Sequence, residues 1–174
     1  MTDFDEYLQK RNAAESMKAR DSILLFAEAG KEWQRLKDRV REITAGKSLG
    51  VEKFEWSPYP APYPDFLKLK DVAATFIAKV AAGTSAQNFR VVFSRRPLRA
   101  DDVVREEWSD EDPIPARTWL LNLKPTNGIF CWSQKQSAAK WTTEGFAGYI
   151  AQQLVEYYEA YTSALKAKYP WVNF

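Results

Sequence analysis

The chain contains no histidine and a single cysteine, Cys131. Without histidine it lacks the usual general base and proton shuttle and the commonest metal ligand. One thiol cannot form a disulfide framework or a cysteine–histidine zinc site. Glycine is scarce at seven residues. Neither a Gly-x-x-x-x-Gly-Lys loop nor a Gly-x-Gly-x-x-Gly turn occurs, which excludes the familiar phosphate cradles. No Asn-x-Ser/Thr sequon is present, and no apolar run approaches the roughly 20 residues that span a bilayer. The opening MTDFDEY is acidic and has no apolar h-region, so it does not read as a secretory signal. The expected setting is soluble and cytoplasmic.

Aromatic residues are abundant at 14%, with seven tryptophans, while net charge is only +2. Such a charge is too near neutrality to argue for nucleic acid. At 174 residues the chain suits a single domain, 1–174. Three parts are expected within it: a helical N-terminal segment over 1–50, a proline/aromatic strap over 51–64 and an α+β core over 65–174.

Residues 3 to about 45 read as helix. Thr2 and Asp5 offer a capping box, and Ile23, Phe26, Gly30, Trp33, Leu36, Val40 and Ile43 recur at three- and four-residue steps. The stripe weakens before about residue 20, so the first turns either fray or meet a partner. Gly30 on the stripe suggests close packing by another element. In the strap, EWSPYPAPYPDF (55–66), prolines 58, 60, 62 and 64 break any P-x-x-P register. It reads as a stiff connector tacked down by its rings. Phe66, Leu69, Ala73, Phe76, Ile77 and Val80 then predict a second helix over 65–82 with Asp65 as N-cap, against a competing strand around 74–80.

From residue 88 the period becomes two. NFRVVFS (88–94) and RTWLLNL (117–123) predict strands, and Asn127-Gly128 predicts a hairpin returning over 129–134. Phe146, Ile150, Leu154, Tyr157, Tyr161 and Leu165 predict a closing helix, followed by an aromatic tail, YPWVNF, expected to dock on the body. The expected fold is therefore α+β: two helices, a small antiparallel sheet of about three strands, and a long C-terminal helix packed on it.

Several motifs fall short of a named chemistry. The acidic run DDVVREEWSDED (101–112) has oxygen ligands for magnesium or calcium but not the EF-hand spacing, and reads first as a solvated loop. Pro64-Asp65 lacks a downstream Asp/Glu-x-Lys. Ser-x-x-Lys occurs twice, at 137–140 and 163–166, without supporting motifs. Cys131 reads as a buried structural thiol. No catalytic residue, metal ligand set or cofactor is expected.

The leading reading is a non-enzymatic binding or protein-interaction domain that uses an aromatic, partly basic surface. Its candidate residues are Tyr59, Tyr63, Arg95, Arg96, Arg99, Trp119 and Trp132. The partner is a protein or a small ligand, with homodimerisation through the N-terminal helix among the expected modes. The alternatives are a metal-dependent hydrolase using the 101–112 carboxylates, and single-stranded nucleic-acid binding through arginines and stacking rings.

Overall fold

The structure, a computed structural model, describes residues 2–57, 64–80, 87–98, 113–126, 129–135 and 137–172. Among these the chain forms two helices and one open antiparallel sheet. Helix α1 (Asp3–Thr44) comes first and α2 (Thr143–Lys168) last. Between them lie β1 (Ser48–Leu49), β2 (Glu52–Ser57), β3 (Asp65–Leu69), β4 (Val72–Val80), β5 (Gln87–Ser94), β6 (Arg117–Thr126), β7 (Ile129–Gln134) and β8 (Lys140–Thr142). Spatial order equals chain order, and every neighbouring pair is antiparallel. Both edge strands are short, which leaves little unpaired backbone for edge-to-edge aggregation.

The α+β class and the two terminal helices follow the periodicity of the sequence. The expected sheet of about three strands does not: it has eight. The expected helix over 65–82 is instead the hairpin β3–β4, closed at Leu69↔Val72 over Lys70 and Asp71. Lys70 takes a positive φ of 52°, unusual outside glycine but compatible with so tight a turn. Asp65, read as a helix cap, opens β3 and ion-pairs with Lys37 of α1 at 2.8 Å, both side chains largely buried.

Double-sided burial is the reason for the misreading. On the face toward the helices, β3 to β5 bury Leu67, Leu69, Val72, Ala74, Phe76, Phe89, Val91 and Phe93. On the other face Phe66, Ala73, Thr75, Ile77, Val92 and Ser94 are buried too. Leu98 packs against Ile77 and Val92 there, and its amide donates to Thr75 Oγ1 at 3.1 Å. A strand buried on both faces shows no polar–apolar alternation, so an apolar run such as VAATFI also satisfies helical spacing.

The helix-facing core joins these strands to Trp119, Leu121 and Trp132, and to Ala29, Trp33, Leu36 and Val40 of α1. From α2 come Phe146, Ala147, Ile150, Leu154, Tyr157 and Tyr161. Trp33 is the hub of the ring packing, with centroids 4.9 Å from Phe89, 5.8 Å from Trp132 and 6.0 Å from Phe76. Gly30 is not the close-packing site expected of it. It is exposed, and a Cβ there would meet nothing within 4 Å. No helix among the described residues is long and apolar enough to cross a membrane.

Candidate functional site

Two features of the surface have the chemistry of a contact site: a polar groove at the junction of the helices, and the N-terminal part of α1. The groove encloses about 560 Å³ between one flank of α1, the first residues of β7 and the start of α2. Glu32, Arg35, Asp38, Arg39 and Glu42 line one wall; Ile129, Phe130 and Thr142 to Glu144 line the other. Ile129 is 60% exposed, so the groove has an apolar lip.

At its base lies a buried polar chain. Trp132 Nε1 donates to Thr143 Oγ1 at 3.0 Å, and that hydroxyl donates to Glu32 Oε1 at 2.5 Å. Glu32 Oε2 accepts from Arg35 Nη1 at 2.5 Å, so its carboxylate, only 6% exposed, is compensated on both oxygens. This is how a buried carboxylate is tolerated. Arg39 reaches across to Glu144 at 2.5 Å and back to Glu42 at 3.2 Å, and Glu144 leads in holding its guanidinium still more firmly protonated. Asp38 accepts from Gln34 at 2.9 Å. Each of the four groove carboxylates therefore already has a protein partner.

The other feature is the arm. Every residue from Thr2 to Met17 is exposed, although all but the capping Thr2 are helical. Phe4, Tyr7, Leu8 and Met17 are 65%, 53%, 40% and 64% exposed. The start of this helix is built with care. Asp5 N donates to Thr2 Oγ1 at 3.3 Å and Thr2 N to Asp5 Oδ2 at 3.1 Å, a complete capping box. Asp3, Asp5 and Glu6 place negative charge at the positive end of the helix dipole.

Hydrogen bonds from Thr2, first its side chain and then its backbone, hold the Asp5 carboxyl below its ordinary 3.8. A depressed carboxylate stabilises the folded form fully above the ordinary value and loses that contribution as pH falls through the lowered one. Helical chemical shifts of residues 3–6 are therefore expected to persist on acidification past 3.8 and to weaken only further down, where the depressed Asp5 carboxyl takes up its proton. Loss of these shifts at or above the ordinary aspartate value would show that the box does not form.

The residues singled out from the sequence do not converge. Tyr59, Tyr63 and Arg99 lie outside the described residues, as do the 101–112 carboxylates and the Asn127-Gly128 turn, although Thr126↔Ile129 closes the hairpin over that pair. Arg95 and Arg96 follow β5, Arg95 half-buried and Arg96 exposed. Trp119 and Trp132, at 4% and 0% exposure, belong to the core and have no ring surface to offer. Trp119 lies under the Arg117 guanidinium, 4.6 Å from its ring, and meets the edge of Tyr149 at 5.4 Å. Its indole N–H has no hydrogen-bond partner among the described residues.

Cys131 is half-buried on the face away from the helices, not in the core. Ser137 Oγ accepts from the Ala139 amide at 3.2 Å, and Ser163 and Lys166 are exposed on α2. The described part of the C-terminal tail, 169–172, is exposed rather than docked: Trp171 is 77% exposed and Val172 44%. Comparisons with protein-family models, curated proteins and solved structures each return no match.

The groove did not stand out in the sequence. Glu32 and Thr143 are 111 residues apart, and no spacing rule joins them. The arm did leave a signal: a capping box followed by Phe4, Tyr7 and Leu8 at i, i+3 and i+4, before the core stripe begins.

Proposed function

We propose that this chain is a non-enzymatic interaction module whose contact element is the N-terminal helical arm, residues 2–17. The observation that carries this reading is sixteen consecutive exposed residues on a capped helix that present Phe4, Tyr7, Leu8 and Met17 to solvent. An unpacked helix of that length is marginal in water, because most helical stability in proteins comes from burying an apolar face. An arm that keeps a capping box and three large apolar side chains on one face is suited to be covered by a partner. Phe4, Tyr7, Lys10 and Arg11 also give it the aromatic and basic groups that an aromatic, partly basic contact surface requires.

The partnered carboxylates of the groove support the non-enzymatic side of the reading. A general acid or base must be free to exchange its proton with a substrate, whereas Glu32 is engaged on both oxygens by Thr143 and Arg35.

The test replaces Phe4, Tyr7 and Leu8 together by serine in the full chain. The thermal midpoint is expected to move by less than about 2 °C, since these side chains contribute nothing to the core. Proteins retained from a native cell extract by the wild-type chain are expected to be lost by the variant. Equal retention by both would overturn the reading.

A further inference from the structure

We infer that the tip formed by Lys166 to Val172 docks on an anionic lipid surface, a contact separate from the arm and beyond the interaction reading above. Helix α2 crosses the sheet diagonally on its way to this tip. Thr143 meets Trp132 of β7, the Tyr149 ring lies 5.4 Å from Trp119 of β6, and the Tyr157 ring 5.8 Å from Phe93 of β5. Tyr158 then stands beside the β3–β4 turn, where Glu52 first and the Tyr158 hydroxyl second hold the Lys70 ammonium more firmly protonated. Helix α1 runs the same way, from Trp33 against Trp132, past Lys37 on Asp65 of β3, to the residues that lead into β1. Both helices therefore end on the β1 side of the molecule. From Tyr158 to Lys168, α2 advances about 15 Å at 1.5 Å per residue, so its end projects beyond the β3–β4 turn.

Every residue of the tip is exposed. Lys166 and Lys168 supply its charge, and no acidic side chain occurs from Ala160 to Val172. Glu159, the last carboxylate on α2, lies two turns back, about 10 Å before Lys166. Arg41 in the last turn of α1 and Lys47 just after it add exposed cations on the same side. Ahead of the lysines stand Tyr169, Trp171 and Val172. The Tyr169 and Trp171 rings meet edge to face at 5.9 Å, and Lys168 Nζ lies 5.6 Å from the Tyr169 ring, so rings and ammonium form one cluster. Pro170 between them has no N–H to leave unsatisfied in an apolar setting.

Tryptophan and tyrosine favour the headgroup level of a bilayer, where one part of the ring is in apolar and the other in polar surroundings. Lysine stems lie along that level and keep their ammonium groups at the phosphates. A projecting tip has no walls to enclose a small ligand, whereas a lipid surface needs none. The acid-free charge selects an anionic surface over a neutral one: each lysine near such a surface strengthens attachment about fivefold. Shallow apolar insertion and basic charge are together the two signals that reversible anchoring uses.

The experiment is co-sedimentation of the full chain with phosphatidylcholine vesicles, with and without phosphatidylserine, at low and high salt. The wild type is expected to bind the phosphatidylserine vesicles, to leave the neutral ones in solution, and to be released by salt. Lys166→Glu/Lys168→Glu is expected to bind at least about tenfold more weakly, and Trp171→Ser to lose affinity at every salt concentration. An unchanged thermal midpoint checks that both variants keep their fold. A wild type that binds neither kind of vesicle, or both equally, would overturn the anionic lipid reading; in the first case an acidic protein surface becomes the occupant. Undiminished binding by the double lysine variant would overturn the tip as the contact. Replacing Phe4, Tyr7 and Leu8 by serine is expected to leave vesicle binding intact, so this inference and the arm reading fail separately.

Discussion

Replacing Trp132 with alanine is expected to destabilise the protein by about 4 kcal/mol, a large fraction of the roughly 5–15 kcal/mol that separates a folded domain from its unfolded chain. Trp132 is fully buried. Its ring lies 5.8 Å from Trp33, 5.4 Å from Phe89 in an edge contact and 6.5 Å from Phe146, so it joins both helices to the sheet. Truncation removes the contacts of a large ring and leaves a cavity among rings that cannot all collapse into it. Cavity and transfer terms therefore add. Urea denaturation measures this as a large drop in midpoint. Trp132→Phe separates the causes: it keeps much of the ring packing but deletes the N–H that reaches Thr143, and its cost is expected near half that of alanine. A Trp132→Ala protein with a midpoint close to wild type would mean that this ring is not central to the core.

The second large effect is expected at Thr143, the first residue of α2. Thr143→Val keeps the shape and the β-branch, so neither packing nor helix propensity changes much. What disappears is a hydroxyl that accepts from Trp132 Nε1 and donates to Glu32 Oε1. A buried indole N–H loses its acceptor, and a buried carboxylate loses one of its two donors. Leaving buried polar groups unsatisfied costs more than a hydrogen bond contributes, and more again when one is charged. The expected loss is about 3 kcal/mol. Thr143→Ser, which restores the hydroxyl, is expected to stay within about 1 kcal/mol of wild type. The comparison is decisive: if valine and serine behave alike, the Trp132–Thr143–Glu32 chain does not contribute to stability.

These two residues also show where sequence reading reached its limit. Trp132 lies on the same face of its hairpin as Trp119 and Leu121, which the register Leu123↔Trp132 fixes. Whether that face met helices or solvent was not visible, because alternation fixes which residues share a face and not what covers it. The rings proposed as binding surface turned out to be core for this reason. Glu32 was an ordinary charged residue on a helix until the start of α2 brought Thr143 against it. Long-range polar contacts of this kind leave no periodicity behind.

The sequence by itself determined both terminal helices, since each has a strong 3.6-residue stripe and an N-cap threonine, and it determined the strands 88–94, 117–123 and 129–134 through their alternation. It also set the place where α1 begins, through the Thr2–Asp5 box, which is local chemistry. Only the tertiary structure decided the rest. It turned 65–80 from a helix into a hairpin, because strands covered on both faces lose the alternation that marks them. It buried Trp119 and Trp132. It left Phe4, Tyr7 and Leu8 bare, on a stretch of α1 in which every residue up to Met17 is exposed. Exposure depends on what stands opposite a residue, and a chain read one residue at a time has no opposite side.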